Sequence, residues 1–163
     1  MRTLFGEQAD ANRFINRQWL DALASVPLAE LDRPQGGFFD SIFGTWNHIL
    51  VGDRIWTERI RGEPNSIANL RQRLATTMED FRRERALSDD ALVRAVGAET
   101  DFSRVLVYRN TKGTEFRMPL YRVFAHLFAH QAHHRGQIHQ MCDERKIALP
   151  DGGLIEYYRR PGI

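Results

Sequence analysis

The sequence predicts an all-α protein, a four-helix up-down-type bundle with a short β-hairpin before the last long helix. Three observations carry this expectation. Apolar residues recur at three- and four-residue steps over several long stretches. Residues 102–118 then switch to a strand-like period around the turn signal Asn110-Thr111-Lys112-Gly113. The chain has 163 residues, 42% of them hydrophobic, which suits one domain (1–163) with a substantial core.

The first helix is expected over residues 4–25. Leu4, Phe5, Phe14, Ile15, Trp19, Leu20 and Leu23 form its apolar stripe, with Thr3 as a cap and Pro27 as a stop. Pro34, Gly36 and Gly37 mark a loop. The second helix starts near Asp40 or Ser41 and reaches Arg61, where Gly62 and Pro64 end it. Ser66 suits the cap of a third helix through Ala86, striped by Leu70, Leu74, Met78 and Phe81. Ser88-Asp89-Asp90 then resembles the cap of a short turn at residues 91–96. The hairpin is too small to stand alone and is expected as a flap across the bundle. Pro119 suits the first turn of the last long helix, residues 119–145, and residues 154–159 suit a final helical turn.

Charge excludes some functions. With 23 basic and 21 acidic residues the net charge is +2, which gives no case for a nucleic-acid surface. Arg82, Arg83 and Arg85 interleave with Glu79, Asp80 and Glu84, the pattern of a solvated helix face. The single cysteine, Cys142, forms no intrachain disulfide and reads as a buried small hydrophobe. No apolar run approaches membrane-spanning length, and residues 1–7 lack a signal-peptide core, so a cytoplasmic location without membrane contact is expected.

The histidines carry the chemistry. Five of the six, His126, His130, His133, His134 and His139, fall close together in the last long helix; the sixth is His48. Each helical residue turns by about 100°, so a step of four returns to within about 40° of the same face. His126, His130 and His134 therefore form a row, and His130 and His134 can converge on one ion. His133 sits about 100° from His134 and His139 about 140° away, so neither joins them. A third donor must come from a facing helix. His48, inside the apolar pattern between Trp46 and Ile49, is the remaining histidine, and bundle sites are built from facing helices. The metal ligands expected are His48, His130 and His134. Three imidazoles leave a position for water or substrate, as in catalytic zinc sites. The alternative is a hydrogen-bonded histidine core without metal.

Two segments also resemble a known family. His126-Leu-Phe-Ala-His130-Gln-Ala-His133-His134-Arg135-Gly136-Gln137 is similar to the terminal-helix motif of the DinB family, the damage-inducible DinB/YfiT-like metalloenzymes. The family is unrelated to the translesion polymerase that shares the label. Residues 42–56, around Trp46-Asn47-His48, resemble its second-helix motif, and Tyr108-Arg109-Asn110-Thr111-Lys112-Gly113 is similar to its segment before the last helix. The resemblance implies a four-helix bundle, commonly a homodimer, holding one divalent metal ion per chain, often zinc or nickel. It carries the ligands onto His48, His130 and His134. It also implies a thiol-dependent transferase acting on a small molecule with a low-molecular-weight thiol, although many members have no known reaction.

Neighbouring residues have several possible roles. His126 is a candidate general base or a partner to a ligand, with plain packing as the alternative. Asp53 is a candidate to pair with Arg135, to hold an imidazole N–H, or to sit in a surface ion pair. Gly136 is expected to allow close helix approach, and Gln137 to hydrogen-bond near the site. The function expected is a metal-dependent transferase or hydrolase for a small molecule; the alternative is a non-catalytic, metal-stabilised dimeric stress-response or binding module.

Overall fold

A computed structural model describes residues 1–110 and 112–161. Four long helices enclose the core: α1 (Arg2–Ala22), α3 (Ile42–Arg61), α4 (Met78–Ala98) and α5 (Leu120–Glu144). A short helix, α2 (Leu28–Leu31), sits in the connection between α1 and α3, and another, α6 (Leu154–Tyr158), follows α5. The hairpin β1 (Val105–Arg109) and β2 (Glu115–Pro119) precedes α5. No helix among the described residues is long and apolar enough to cross a membrane.

The long helices form a ring in which α1 packs on α4, α4 on α3, α3 on α5, and α5 on α1. Phe43 and Phe81, near the starts of α3 and α4, meet at one end with Trp19, near the end of α1. Phe5 and Phe124, near the starts of α1 and α5, meet at the other end with Val96, near the end of α4. The helix directions are therefore up, down, down, up. The parallel α3 and α4 need a long return connection, and residues 62–77 provide it.

That connection is where the sequence expectation fails. Residues 66–77 are not helical, and the third long helix starts at Met78. Thr77 is its cap: its hydroxyl accepts from the Asp80 amide at 3.1 Å and donates to the Asp80 carboxylate at 2.9 Å. Ser66 instead donates to the Glu58 carboxylate. The Asn47 side-chain oxygen accepts the Leu74 and Ala75 amides at 3.0 and 3.1 Å, which pins the connection along α3. Ser88 and Asp89 do not cap a new turn; they lie buried in the middle of α4. At the start of the chain, helix α1 begins at Arg2, so Thr3 is inside it rather than capping it.

Most of the remaining boundaries follow the local chemistry expected of them, but Pro119 closes β2 and stands at the N-cap of α5 instead of in its first turn. Ser41 caps α3 by accepting the Gly44 amide at 2.9 Å, and Gly62 ends it at φ 70°, a left-handed conformation that glycine adopts without strain. The strands pair antiparallel from Val105 opposite Pro119 to Arg109 opposite Glu115. The Asn110 side chain accepts the Lys112 and Thr114 amides, while Thr111 lies outside the described residues. The hairpin lies on the bundle through buried Leu106 and through Tyr108 against Trp56, with ring centroids 5.0 Å apart.

Besides a small cluster of Val51, Ile55 and Ile67, the core has two apolar layers. One gathers Trp19, Phe43, Trp46, Phe81, Ile138 and Cys142; the other gathers Phe5, Leu92, Phe102, Leu120, Phe124 and Leu127. Between them runs a buried polar layer of Asn12, Asn16, Asp53, Arg85, Asp89, Gln131 and Arg135, drawn from all four long helices. The histidines lie beside this layer.

Candidate metal centre

α3 presents His48, and α5 presents His130 and His134 one turn apart. One nitrogen from each of these rings lies within 4.8 Å of the others, and all three side chains are buried or partly buried. The Nε2 atoms of His48 and His130 are 3.0 Å apart. Two nitrogens on a tetrahedral zinc at about 2.0–2.1 Å would be about 3.3 Å apart, so the spacing suits a shared ion.

The remote nitrogens strengthen this fit. His48 Nδ1–H donates to the Leu70 carbonyl at 3.2 Å. His134 Nδ1–H donates to the Gln137 side-chain oxygen at 2.7 Å. Both acceptors fix the tautomer that leaves Nε2 bare, which is how ligating imidazoles are usually held. Leu70 performs this role because it lies in a turn outside any helix; inside a helix its carbonyl would face the next turn. Gln137 also approaches His133 Nε2 at 3.3 Å.

Electrostatics keep the rings neutral. Burial, aided by the neighbouring imidazoles, pushes His130 down to about 3. Burial lowers His48 to about 4, against the pull of the Leu70 carbonyl. His134 is lowered for the same first reason. Uncharged imidazoles at neutral pH are the form that binds a divalent ion.

Glycine makes room for His130. A Cβ on Gly52 would lie 2.9 Å from His130 Cε1. Gly52 is one turn past His48 on α3, and its bare backbone admits the facing ring. Sequence reasoning missed it, although a glycine in a helix interior one turn from a candidate ligand was a readable signal. Gly136, the glycine expected to let helices approach, meets nothing within 4 Å and borders the cavity instead.

Phe39 lies over the centre, its ring stacked on His48 with centroids 3.7 Å apart and planes 17° apart. Positive φ angles at Gly36, Gly37 and Asp40 turn the loop that carries it. Beside Phe39 opens a cavity of about 710 Å³ whose wall includes His48, His134, Leu70, Gln137 and Met141. Cys142 takes no part: it is buried, and its thiol is pushed up to about 11, chiefly by burial.

The other histidines separate as the helical spacing predicts. His133 is exposed, and His139 pairs with Asp143 at 3.1 Å. The His126 ring lies 5.7 Å from His130 and 5.4 Å from Trp56 in an exposed position, without a hydrogen bond to a ligand among the described residues.

Asp53 pairs with Arg85 at 2.5 Å rather than with Arg135, and it touches no imidazole. Gln131, next to His130, donates to both Asp53 oxygens at 2.9 Å. Arg135 donates instead to Asn12, Asn16 and Gln131. Burial raises Asp53 to about 6 against the opposing pull of Arg85. The solvated face expected of Arg82, Arg83 and Arg85 therefore fails at Arg85, which is 1% exposed. Its carboxylate partners come from α3 and from one turn along α4, so charge alternation on its own helix hid its inward position.

No curated protein matches the chain. The DinB family model matches residues 1–145, and with a bundle, a hairpin and a three-histidine group arranged in this way, the chain belongs to the DinB family.

Proposed function

We propose that the chain is a metal-dependent enzyme acting on a small molecule, either as a thiol-dependent transferase or as a hydrolase, with one zinc or nickel ion held by His48, His130 and His134. The observation that carries this reading is the placement of His48 and His134 in the wall of the 710 Å³ cavity. Three protein donors would leave part of a four-coordinate sphere free, and the cavity gives a small molecule access to His48 and His134. A divalent ion held there supplies Lewis acidity, lowering the pKa of a thiol or water that shares its sphere.

The chain's own residues do the rest. Leu70 and Gln137 hold two imidazoles in the binding tautomer. Phe39 covers His48 and keeps water off that face. His126, exposed at the end of the histidine row with its pKa lowered only by partial burial of the ring, is the candidate base or a partner to the ligand row. We further propose that residues 1–163 act as one domain, as a homodimer in the cytoplasm.

Cobalt substitution tests the reading. Cobalt-loaded protein should change its visible absorption as a small thiol enters the coordination sphere. A spectrum that no thiol alters would remove the transferase branch. A fourth protein ligand closing the sphere would remove the enzyme reading altogether.

A further inference from the structure

Across the ring from the metal centre, α1, α4 and the end of α6 border a second cavity, of about 820 Å³. Five arginines line it. Arg13 is matched by Asp10 and Asp90 at 2.7 and 3.3 Å, and Arg82 by Asp21 at 2.9 Å. Arg17 and Arg160 have no carboxylate partner among the described residues. Arg160 is held flat over Phe14 and Tyr157, 3.9 and 4.2 Å from the ring centroids. Its Nε donates to the Tyr157 carbonyl at 3.3 Å, and stacking of this kind leaves the remaining edge N–H groups of a guanidinium available.

The fifth arginine is Arg85, 1% exposed. Its Nη2 faces Asp53 at 2.5 Å and Asp89 at 3.0 Å. Among the described residues none of its three nitrogens has a hydrogen-bond partner, so Nη2 is held by these ion pairs alone and Nε and Nη1 by nothing. A guanidinium has five N–H donors, and three of them belong to Nε and Nη1. Buried donors in folded proteins are nearly always satisfied, so these three require an acceptor. Arg85 lines the cavity, which offers space for one.

We propose that this cavity binds a small oxyanion, a carboxylate or a phosphate, between Arg85 at its floor and Arg17 and Arg160 at its rim. Guanidinium groups bind both anions through paired N–H···O bonds. The four aspartates in the same wall, Asp10, Asp21, Asp89 and Asp90, limit the ligand to one compact anionic group. A polyanion such as nucleic acid would be repelled by them. The site is independent of the metal centre and of the reaction proposed for it.

Nitrogen-15 NMR of the full chain, following arginine Nε–H signals, tests this with inorganic phosphate and acetate as separate probes against chloride at matched ionic strength. At least one probe should produce saturable shifts in Arg17, Arg85 and Arg160, and the stronger probe identifies the preferred anion. The same shifts should persist in a His130→Ala variant, where the metal centre is broken. Replacing both rim residues, Arg17→Gln with Arg160→Gln, should weaken binding by about tenfold or more while the melting temperature stays unchanged. The proposal is overturned if neither probe differs from chloride, if the shifts vanish in His130→Ala, or if the rim variant binds as well as the parent.

Discussion

Gly52 and His130 interlock across the α3–α5 interface: a Cβ on Gly52 would lie 2.9 Å from Cε1 and 3.3 Å from Nδ1 of the imidazole. A ring is easier to rotate than a helix is to move. Gly52→Ala should therefore keep the fold, with alanine favoured in the helix by about 1 kcal/mol, and turn His130 away from His48. The expected outcome is a metal affinity at least about tenfold weaker, with a melting temperature for the metal-free protein equal to or above that of the parent. Metal analysis beside thermal melting checks both halves. Full metal retention would show that the ring has room that the backbone geometry denies it.

Individual histidines should separate cleanly. His48→Ala, His130→Ala and His134→Ala should each lose stoichiometric metal, whereas His133→Ala and His139→Ala should keep it. Gln137→Ala should lie between these groups, weakening the metal about 10- to 100-fold, because it releases His134 Nδ1 without removing a donor. Metal analysis of tag-free variants decides this. Equal loss from all five histidine variants would overturn the three-ligand centre.

Much of this centre was legible because helical geometry is local. The i, i+4 step from His130 to His134, and the phase that excludes His133 and His139, depend only on residues within one helix. The partners of Asp53 and Arg85 were not legible for the converse reason. Asp53 is held by Gln131 from α5 and Arg85 from α4, and no pattern along α3 encodes which facing helix supplies the cation. The non-helical segment at residues 66–77 was hidden by a misleading stripe: Leu70, Leu74, Met78 and Phe81 keep helical spacing, but Asn47 takes the Leu74 and Ala75 amides for itself. The tertiary bond overrides local propensity, and the Leu70 carbonyl becomes available to His48 as a result.

Protons should compete with folding in the metal-free protein. An unfolded histidine protonates near 6.5, whereas burial holds His48 near 4 and His130 near 3. As pH falls through the range between about 6.5 and 4, the unfolded chain takes up protons that the folded chain refuses, so stability declines with falling pH. The melting temperature of metal-free protein should drop across this window. The double variant His48→Gln with His130→Gln should flatten the decline. Parallel curves for parent and variant would assign the acid sensitivity to other groups.

The buried polar layer makes a different demand on stability. Asp53 is fully buried, and its carboxylate is met by Arg85 and Gln131 together. Removing one partner of such a pair strands the other charge, at a cost of about 3–5 kcal/mol, whereas replacing both with apolar side chains of similar size is often close to neutral. Asp53→Leu alone should therefore lower the denaturant midpoint sharply. Adding Arg85→Met should restore part of the loss, with Asp89 left to Asn12 and Asn16, which donate to its carboxylate. Chemical denaturation of the parent, the two single variants and the double variant yields the coupling directly. If the double variant is destabilised by the sum of the two single losses, the pair contributes nothing beyond its separate side chains, and the layer must be held by the amides of Asn12, Asn16 and Gln131 instead.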